Sequence, residues 1–319
     1  NRFATLSNMN EEDLSTVRRE TGKDGSFQRQ EDAFRDTALT PTPGRYHLYV
    51  SLACPWASRA VIVRRLLGLE EVVGMTVLDP IRDERGWAFR EGPGHSADPI
   101  NGFRFLSEAY RRSDPDYDGR VTVPALWDTV EGRLVNNSED DICRLFQDVF
   151  PRAADSPDLF PSDLEAEHGE LAAWIYETIN NGVYRCGFAT RQDSYEKAFH
   201  LLFASLDTLE QRLSQSRYLF GDRIVEADWR LFCTLVRFDA VYHGHFKCNL
   251  RRIADYPQMQ GYLLDLYQWP GIAETVNLDH IKRHYYVTHH EINPTRIVPA
   301  GPALDFTVPH GRERLSGAG

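Results

Sequence analysis

The sequence predicts an α/β domain followed by an all-α domain, and three features carry this prediction. Between residues 45 and 150, short apolar runs typical of strands alternate with amphipathic stretches typical of helices. Residues 151–162 hold three prolines among serines and aspartates, as linkers do. From 163 to 290 the apolar residues recur at helical spacing. We therefore expect an N-terminal extension over 1–44, the α/β domain, the linker, a helical domain and a tail over 291–319.

The composition of the chain limits the classes of function that it can have. Its 319 residues are enough for two separate cores. The formal net charge of −11 argues against a nucleic-acid binder, which would need a basic face. There is no long uncharged apolar run for a membrane span, and the first five residues lack the apolar stretch of a signal peptide. Five scattered cysteines, an odd number, do not form a disulfide framework. We therefore expect a cytoplasmic protein without nucleic-acid or membrane partners.

The elements of the α/β region can be placed in chain order. Pro124 interrupts an apolar strand pattern, and proline cannot donate a hydrogen bond to a sheet. It therefore marks a strand start or edge, and the bond before it is of the type that can be cis. The predicted strands cover 46–51, 72–78, 121–127 and 133–135, with a helix beginning at 55, a long insertion after the second strand, and a helix over 140–150.

The segment Cys54-Pro55-Trp56-Ala57 joins the first strand to the first helix and predicts a reactive thiol. Proline suits the first helical position, which puts Cys54 at the N-cap. Unpaired N–H groups and the positive end of the helix dipole favour a thiolate there, so we expect the pKa of Cys54 to be lowered. The alternative is a small apolar side chain buried at a strand–helix junction.

The residue three positions after Cys54 is Ala57, so no second cysteine follows to form a local disulfide. A nucleophilic Cys54 would then need a thiol from outside the protein to complete each turnover. The string His243-x-His245-x-x-Cys248 resembles a set of metal ligands, but it continues a helical pattern and lacks a fourth ligand. We therefore expect no metal.

Several motifs resemble one family. A strand–helix–strand unit with Cys-Pro at its first helix, a Val-Pro before the third strand and a following helical domain resemble the thioredoxin-like and helical halves of a glutathione transferase. More specifically, the chain resembles the Xi class, the glutathionyl-hydroquinone reductases. The matching stretches lie at 51–57, 86–89, 121–128, 176–184, 237–242, 244–249 and 292–295.

The resemblance implies a thiol-dependent reductive cleavage of an aryl thioether, with glutathione as cosubstrate and no permanently bound cofactor. Cys54 would attack the sulfur of a glutathionyl-hydroquinone, and a second glutathione would then free it. Val123 would pair its backbone with the cosubstrate, and Pro124 would hold that edge open. Trp87 would pack over the cosubstrate, and Arg120 would offer it a cation. The resemblance also implies a homodimer.

The acceptor pocket implied by the resemblance is aromatic, because hydroquinones are flat and carry a hydroxyl at each end. Tyr184 and Tyr285 match family tyrosines that line it, and Tyr242 is a further candidate. Their phenols could hydrogen-bond the hydroquinone oxygens, and Tyr184 and Tyr285 could assist protonation of the leaving carbon. The alternative for each tyrosine is packing in a helical core with one satisfied hydroxyl.

One pair of residues departs from the family pattern. The family presents Glu-Ser before the third helix, where the acid takes the γ-glutamyl ammonium and the serine its carboxylate. Here the aligned pair is Ser138-Glu139, in reverse order. An anionic Glu139 would oppose a bound carboxylate, so the cosubstrate is either glutathione after a local shift or another low-molecular-mass thiol, such as a sugar thiol.

Two other functions remain open from the sequence alone. A general thioltransferase or dehydroascorbate-type reductase would use the same Cys54 chemistry with a less aromatic pocket. A non-catalytic thiol-binding protein of the same fold would lack a nucleophilic Cys54, and the reversed Ser138-Glu139 pair is the feature that favours it.

Overall fold

A four-stranded mixed sheet forms the first half of the fold. The computed structural model describes residues 20–316. The strands have the order β2-β1-β3-β4, with β1 parallel to β2, β1 antiparallel to β3, and β3 antiparallel to β4. A parallel pair requires a crossover, which is the helix α1 (Pro55–Leu66). The strands are β1 (Tyr46–Val50), β2 (Val73–Val77), β3 (Ala125–Asp128) and β4 (Arg133–Asn136).

Two elements of this half differ from the prediction. The insertion contains a short helix α2 (Leu106–Ser113) that was not predicted, since only Leu106, Ala109 and Tyr110 of its residues are buried. The third strand begins at Ala125 rather than 121, because Pro124 has no N–H to donate to a ladder. The Val123–Pro124 bond is cis, as the sequence suggested.

The second half of the fold is helical, so the predicted fold class is confirmed. The helix α3 (Glu139–Asp148) ends the first half and begins one residue earlier than predicted. Short π-helical stretches over Tyr176–Asn180, Phe238–Tyr242 and His284–Thr288 extend three of the later helices. No helix in the described part of the chain combines the length and apolar character of a membrane span. The remaining helices are α4 (Glu165–Ile175), α5 (Asn181–Gly187), α6 (Gln192–Leu213), α7 (Glu226–Arg237), α8 (Pro257–Tyr267) and α9 (Leu278–Arg283).

Buried arginines join the two halves. Arg59 of α1 lies 2.7 Å from the Glu226 carboxylate of α7 and 2.5 Å from that of Asp140 in α3. Arg237, at the end of α7, donates to the carbonyls of Leu52 and Ala53 at 2.9 and 3.0 Å. These bonds fix the turn that precedes α1, which is where Cys54 lies.

The part of the N-terminal extension that the structure describes lies against the edge of the sheet. We call residues 20–36 the N-terminal segment. Its backbone bonds the strand β4 region twice, from the Asp36 N–H to the Val135 carbonyl and from the Asn137 N–H to the Phe34 carbonyl, each at 2.9 Å. The residues before Phe34 continue across the opening of a cavity between the two halves.

Candidate active site

A cavity of about 490 Å³ opens beside the start of α1. Its walls come from the loop after β1, the insertion, the start of α3, the N-terminal segment and the helical half. The structure places most of the predicted site residues on these walls. Those lining the cavity are Cys54, Trp87, Arg120, Val123, Glu139 and Tyr184, whereas Pro124, Ser138, Tyr242 and Tyr285 lie behind them.

Cys54 is the N-cap residue of α1, with Pro55 at the first helical position as predicted. Its backbone is extended, with φ −77° and ψ 122°, and its side chain is partly exposed to the cavity. The thiol donates a hydrogen bond to the Val123 carbonyl at an S···O distance of 3.6 Å. Cys54 is therefore held against the strand edge that the sequence predicted as the binding site of the thiol cosubstrate.

The predicted lowering of the pKa of Cys54 is wrong for this structure. Burial raises the pKa of the thiol, and the opposing effects of the Ala57 N–H, the Arg237 cation and the Trp56 N–H are smaller. The local motif shows that helix N–H groups lie near the Cys54 thiol. It does not show that the thiol is removed from solvent, because burial depends on the whole fold. In this state Cys54 is a neutral thiol with Val123 as its acceptor.

Trp87 and Arg120 both lie on the cavity wall, and both have partners. The indole of Trp87 stacks on the His284 ring, with centroids 5.0 Å apart and an angle of 15°. Arg120 forms an ion pair with Glu20 of the N-terminal segment, whose side chain is almost fully buried. Arg120 is thus a cation of the cavity rather than a solvated surface charge, and Glu20 already neutralises it.

The reversed pair Ser138-Glu139 takes a different arrangement from the one expected. Ser138 caps α3, where its hydroxyl accepts the Asp141 N–H at 3.4 Å. Glu139 is buried 3.2 Å from the Arg59 guanidinium. Burial raises the pKa of Glu139 to about 7, and Arg59 opposes that rise. Glu139 is therefore not an uncompensated charge aimed at the ligand, because Arg59 faces it from α1.

Three tyrosines form a chain of hydroxyl groups that starts at the cavity. The Tyr184 and Tyr285 oxygens are 2.5 Å apart, and those of Tyr242 and Tyr285 are 2.8 Å apart. Tyr242 and Tyr285 are fully buried, so of the three it is Tyr184 that faces the cavity. Burial raises the pKa of Tyr184 to about 12, which keeps its hydroxyl protonated.

The sequence analysis missed the residues that the N-terminal segment brings to the cavity, namely Glu20, Phe27, Arg29, Gln30, Glu31, Asp32 and Arg35. Arg29 lies over the Trp56 ring, with its guanidinium carbon 4.1 Å from the ring centroid. Its Nε donates to the Asn181 side-chain oxygen at 2.9 Å. The segment is polar and without periodicity, and no local pattern of that kind predicts which surface it covers.

Two buried histidines of the helical half, His245 and His289, lie side by side. His245 Nε2 and His289 Nδ1 are 3.2 Å apart, and burial lowers the pKa of His245 to about 4. Within residues 20–316, no group of three or more histidine, cysteine or acidic side chains is arranged to hold a metal ion.

Comparisons with known proteins agree with this architecture. Residues 53–149 match the family model of the glutathione S-transferase N-terminal domain, and residues 192–264 match that of the C-terminal domain. The glutathionyl-hydroquinone reductase PcpF of Sphingobium chlorophenolicum is 49% identical, over 88% of this chain and 90% of its own. A glutathionyl-hydroquinone reductase of Escherichia coli is 48% identical, over 91% and 93%.

Two solved structures are similar across nearly the whole chain. One is a glutathione-bound glutathione transferase homologue from Escherichia coli, 45% identical, with a TM-score of 0.85 over 91% of this chain and 98% of that one. The other is the glutathione S-transferase Xi of Phanerochaete chrysosporium, also 45% identical, with a TM-score of 0.88 over 93% and 98%.

Proposed function

Because this chain belongs to the glutathione S-transferase family, among its glutathionyl-hydroquinone reductases, we propose that it uses glutathione to release hydroquinones from their glutathionyl thioethers. The observation that carries the proposal is the position of Cys54. It begins α1 at the wall of an aromatic cavity, and it is the one cysteine of the described chain that lines that cavity.

In the first step Cys54, a neutral thiol in the free enzyme, gives its proton to solvent, and the resulting thiolate attacks the thioether sulfur of the substrate. The new bond joins Cys54 to the glutathione sulfur, and the bond from that sulfur to the aromatic carbon breaks. The electron pair of the broken bond goes to the aromatic carbon, which takes a proton and leaves as the hydroquinone. The glutathione sulfur is thereby oxidised to a mixed disulfide while the aromatic carbon is reduced.

Tyr184 is the proposed source of that proton. Its hydroxyl faces the cavity, and a pKa of about 12 keeps the proton in place until a strongly basic carbon develops. Tyr285 is fully buried behind it, where its hydroxyl orients that of Tyr184, and Tyr242 orients Tyr285 in turn. We propose Tyr184 as the group that touches the hydroquinone, with Tyr242 and Tyr285 as positioning residues.

In the second step the thiolate of another glutathione attacks the glutathione sulfur of the mixed disulfide. Glutathione disulfide leaves, the Cys54 thiolate is regenerated, and the proton that this glutathione gave up restores the Tyr184 hydroxyl. The sum is one glutathionyl-hydroquinone and one glutathione converted to one hydroquinone and one glutathione disulfide. The absence of a second cysteine on the described cavity wall supports this use of an external thiol.

The cosubstrate is proposed to lie along the strand edge at Val123, adding its backbone to the sheet. A peptide N–H of the cosubstrate would donate to the Val123 carbonyl, which in this structure accepts a hydrogen bond from the Cys54 thiol. Trp87 and Arg120 would flank the cosubstrate. Arg120 is ion-paired with Glu20, so it would have to contact the cosubstrate alongside Glu20 or break that pair. Five free cysteines in the described structure support a cytoplasmic location, and the homodimer rests on the family resemblance.

The test is a product assay with a glutathionyl-hydroquinone and glutathione. We expect hydroquinone and glutathione disulfide in a one-to-one ratio. A general thioltransferase would instead turn over small glutathione mixed disulfides far faster than the thioether. A protein that binds glutathione but converts neither substrate would overturn the proposal.

A further inference from the structure

Five charged side chains of the N-terminal segment line the cavity, namely Glu20, Arg29, Glu31, Asp32 and Arg35. Two of them, Arg29 and Asp32, have opposite charge and lie three residues apart. Arg29 is held by stacking on Trp56 and by its bond to Asn181, but its Nη2 is buried and has no hydrogen-bond partner among the described residues. A buried guanidinium N–H without an acceptor is costly, which indicates that an acceptor belongs there. The missing acceptor is best supplied by an anionic group of a ligand in the cavity.

Asp32 lines the same cavity three residues further along. Burial raises the pKa of its carboxyl, and Arg35, Arg29 and a hydrogen bond to Ser138 oppose that rise. A partly buried carboxylate of this kind is stabilised most by a cation that docks directly against it. Asp32 and Glu139 line the same cavity, and Glu139 faces Arg59 there.

Other charges of this wall are already neutralised by protein partners. Glu139 pairs with Arg59, and Glu20 pairs with Arg120. Asp140, next to Glu139, lies 2.5 Å from Arg59 and 2.6 Å from Arg230. Arg29 and Asp32 are therefore better placed to recognise a ligand than the acids of α3 are.

We propose that Asp32 and Arg29 bind the α-amino acid end of the thiol cosubstrate, Asp32 its ammonium and Arg29 its α-carboxylate. Such a group carries both charges on one carbon, and a neighbouring carboxylate and guanidinium complement it. The proposal rests on the proposed function in taking glutathione, with its γ-glutamyl group, as the thiol. The reversed Ser138-Glu139 pair then does not exclude glutathione, because the acid comes from the N-terminal segment.

The test measures binding by calorimetry in a Cys54→Ser background, where no mixed disulfide forms. The ligands are glutathione, glutaryl-cysteinylglycine, which lacks the ammonium, and 4-aminobutyryl-cysteinylglycine, which lacks the α-carboxylate. From the strength of a charge-assisted hydrogen bond, Asp32→Asn and Arg29→Gln should each weaken glutathione binding about tenfold to a hundredfold.

The pattern across ligands separates recognition from a structural role. Asp32→Asn should not weaken the ligand that lacks the ammonium, and Arg29→Gln should not weaken the one that lacks the α-carboxylate. The control is Asp36→Asn on the same segment, whose carboxylate pairs with Arg133 at 2.9 Å outside the cavity. It should bind all three ligands as the parent does.

Equal losses on all three ligands, or unchanged glutathione binding in both variants, would overturn the subsite. So would a parent protein that does not bind glutathione. Because binding is measured without turnover, a protein that shows the expected pattern but does not cleave the thioether would overturn the proposed function and leave the subsite standing.

Discussion

Replacing Tyr285 by phenylalanine should slow release of the hydroquinone and leave the protein folded. The Tyr285 hydroxyl is the middle member of the chain, 2.5 Å from the Tyr184 oxygen and 2.8 Å from that of Tyr242. The substitution keeps the ring and its packing, and it leaves Tyr184 on the cavity wall. What Tyr184 loses is the partner that fixes the direction of its hydroxyl.

The expected size of the effect follows from these contacts. The buried Tyr242 hydroxyl loses its partner, which should lower the free energy of unfolding by about 1–3 kcal/mol. Tyr184 can still deliver a proton but is no longer held in place. Loss of about 1.5–3 kcal/mol of transition-state stabilisation would slow the first step by about tenfold to a hundredfold.

The assay compares two substrates in single turnover. One is a glutathionyl-hydroquinone, whose leaving carbon needs a proton, and the other is a mixed disulfide of glutathione with a small alkyl thiol, whose leaving sulfur does not. Tyr285→Phe should slow cleavage of the glutathionyl-hydroquinone and leave the reaction of the mixed disulfide nearly unchanged. In the control Tyr242→Phe the Tyr184–Tyr285 bond persists and no hydroxyl of the chain is left without a partner, so both stability and rate should fall less. A Tyr285→Phe protein that loses nothing, or loses equally on both substrates, would refute the role given to this chain of hydroxyls.

Three further predictions concern charge. Arg59→Met leaves Arg230 as the one arginine facing Glu226 and Asp140 and removes the arginine that faces Glu139, so it should cost about 3–5 kcal/mol in urea unfolding. Arg35→Met breaks an exposed pair with Asp141 and should cost about 1 kcal/mol or less, and similar losses in the two variants would contradict this. Because the pKa of Glu139 is raised to about 7, the native state keeps that proton while the unfolded state loses it, so the contribution of Glu139 to the free energy of unfolding should fall between about pH 4.5 and 7. Glu139→Gln should accordingly gain on the wild type across that window, and a constant difference between the two proteins would count against it. Titration of thiolate absorbance in the free enzyme, with Cys54→Ser as the blank, should give a Cys54 pKa at or above the ordinary value of about 8.5, and a value near 6 would contradict the dominant effect of burial.

The framework around Cys54 could be predicted from the sequence because it follows from local rules. A strand, a cysteine at the N-cap and a proline at the first helical position are all encoded within a dozen residues, and the structure has each of them. The direction in which Cys54 titrates could not be predicted in the same way. It is set by removal of solvent by both halves of the fold, which no local pattern reports.

The tyrosines and the N-terminal segment show the same limit. Spacing indicated that Tyr242 and Tyr285 lie in the helical half, but their complete burial behind Tyr184 depends on how the π-helical stretches pack. Asp32 and Arg29 lie in a polar stretch without periodicity, so only the folded chain shows that they reach the cavity. The pairing of Glu139 with Arg59 was not foreseen either, because the two residues lie in different helices that only the folded chain brings together.

The most direct test of the account is the state of Cys54 after a single turnover without added thiol. Peptide mass spectrometry of the wild-type enzyme after reaction with one equivalent of glutathionyl-hydroquinone should find one glutathione on Cys54 and one free hydroquinone released. Cys54→Ser should release none. A disulfide from Cys54 to Cys143, Cys186, Cys233 or Cys248, or hydroquinone release by Cys54→Ser, would contradict a single nucleophilic thiol that is regenerated from outside the protein.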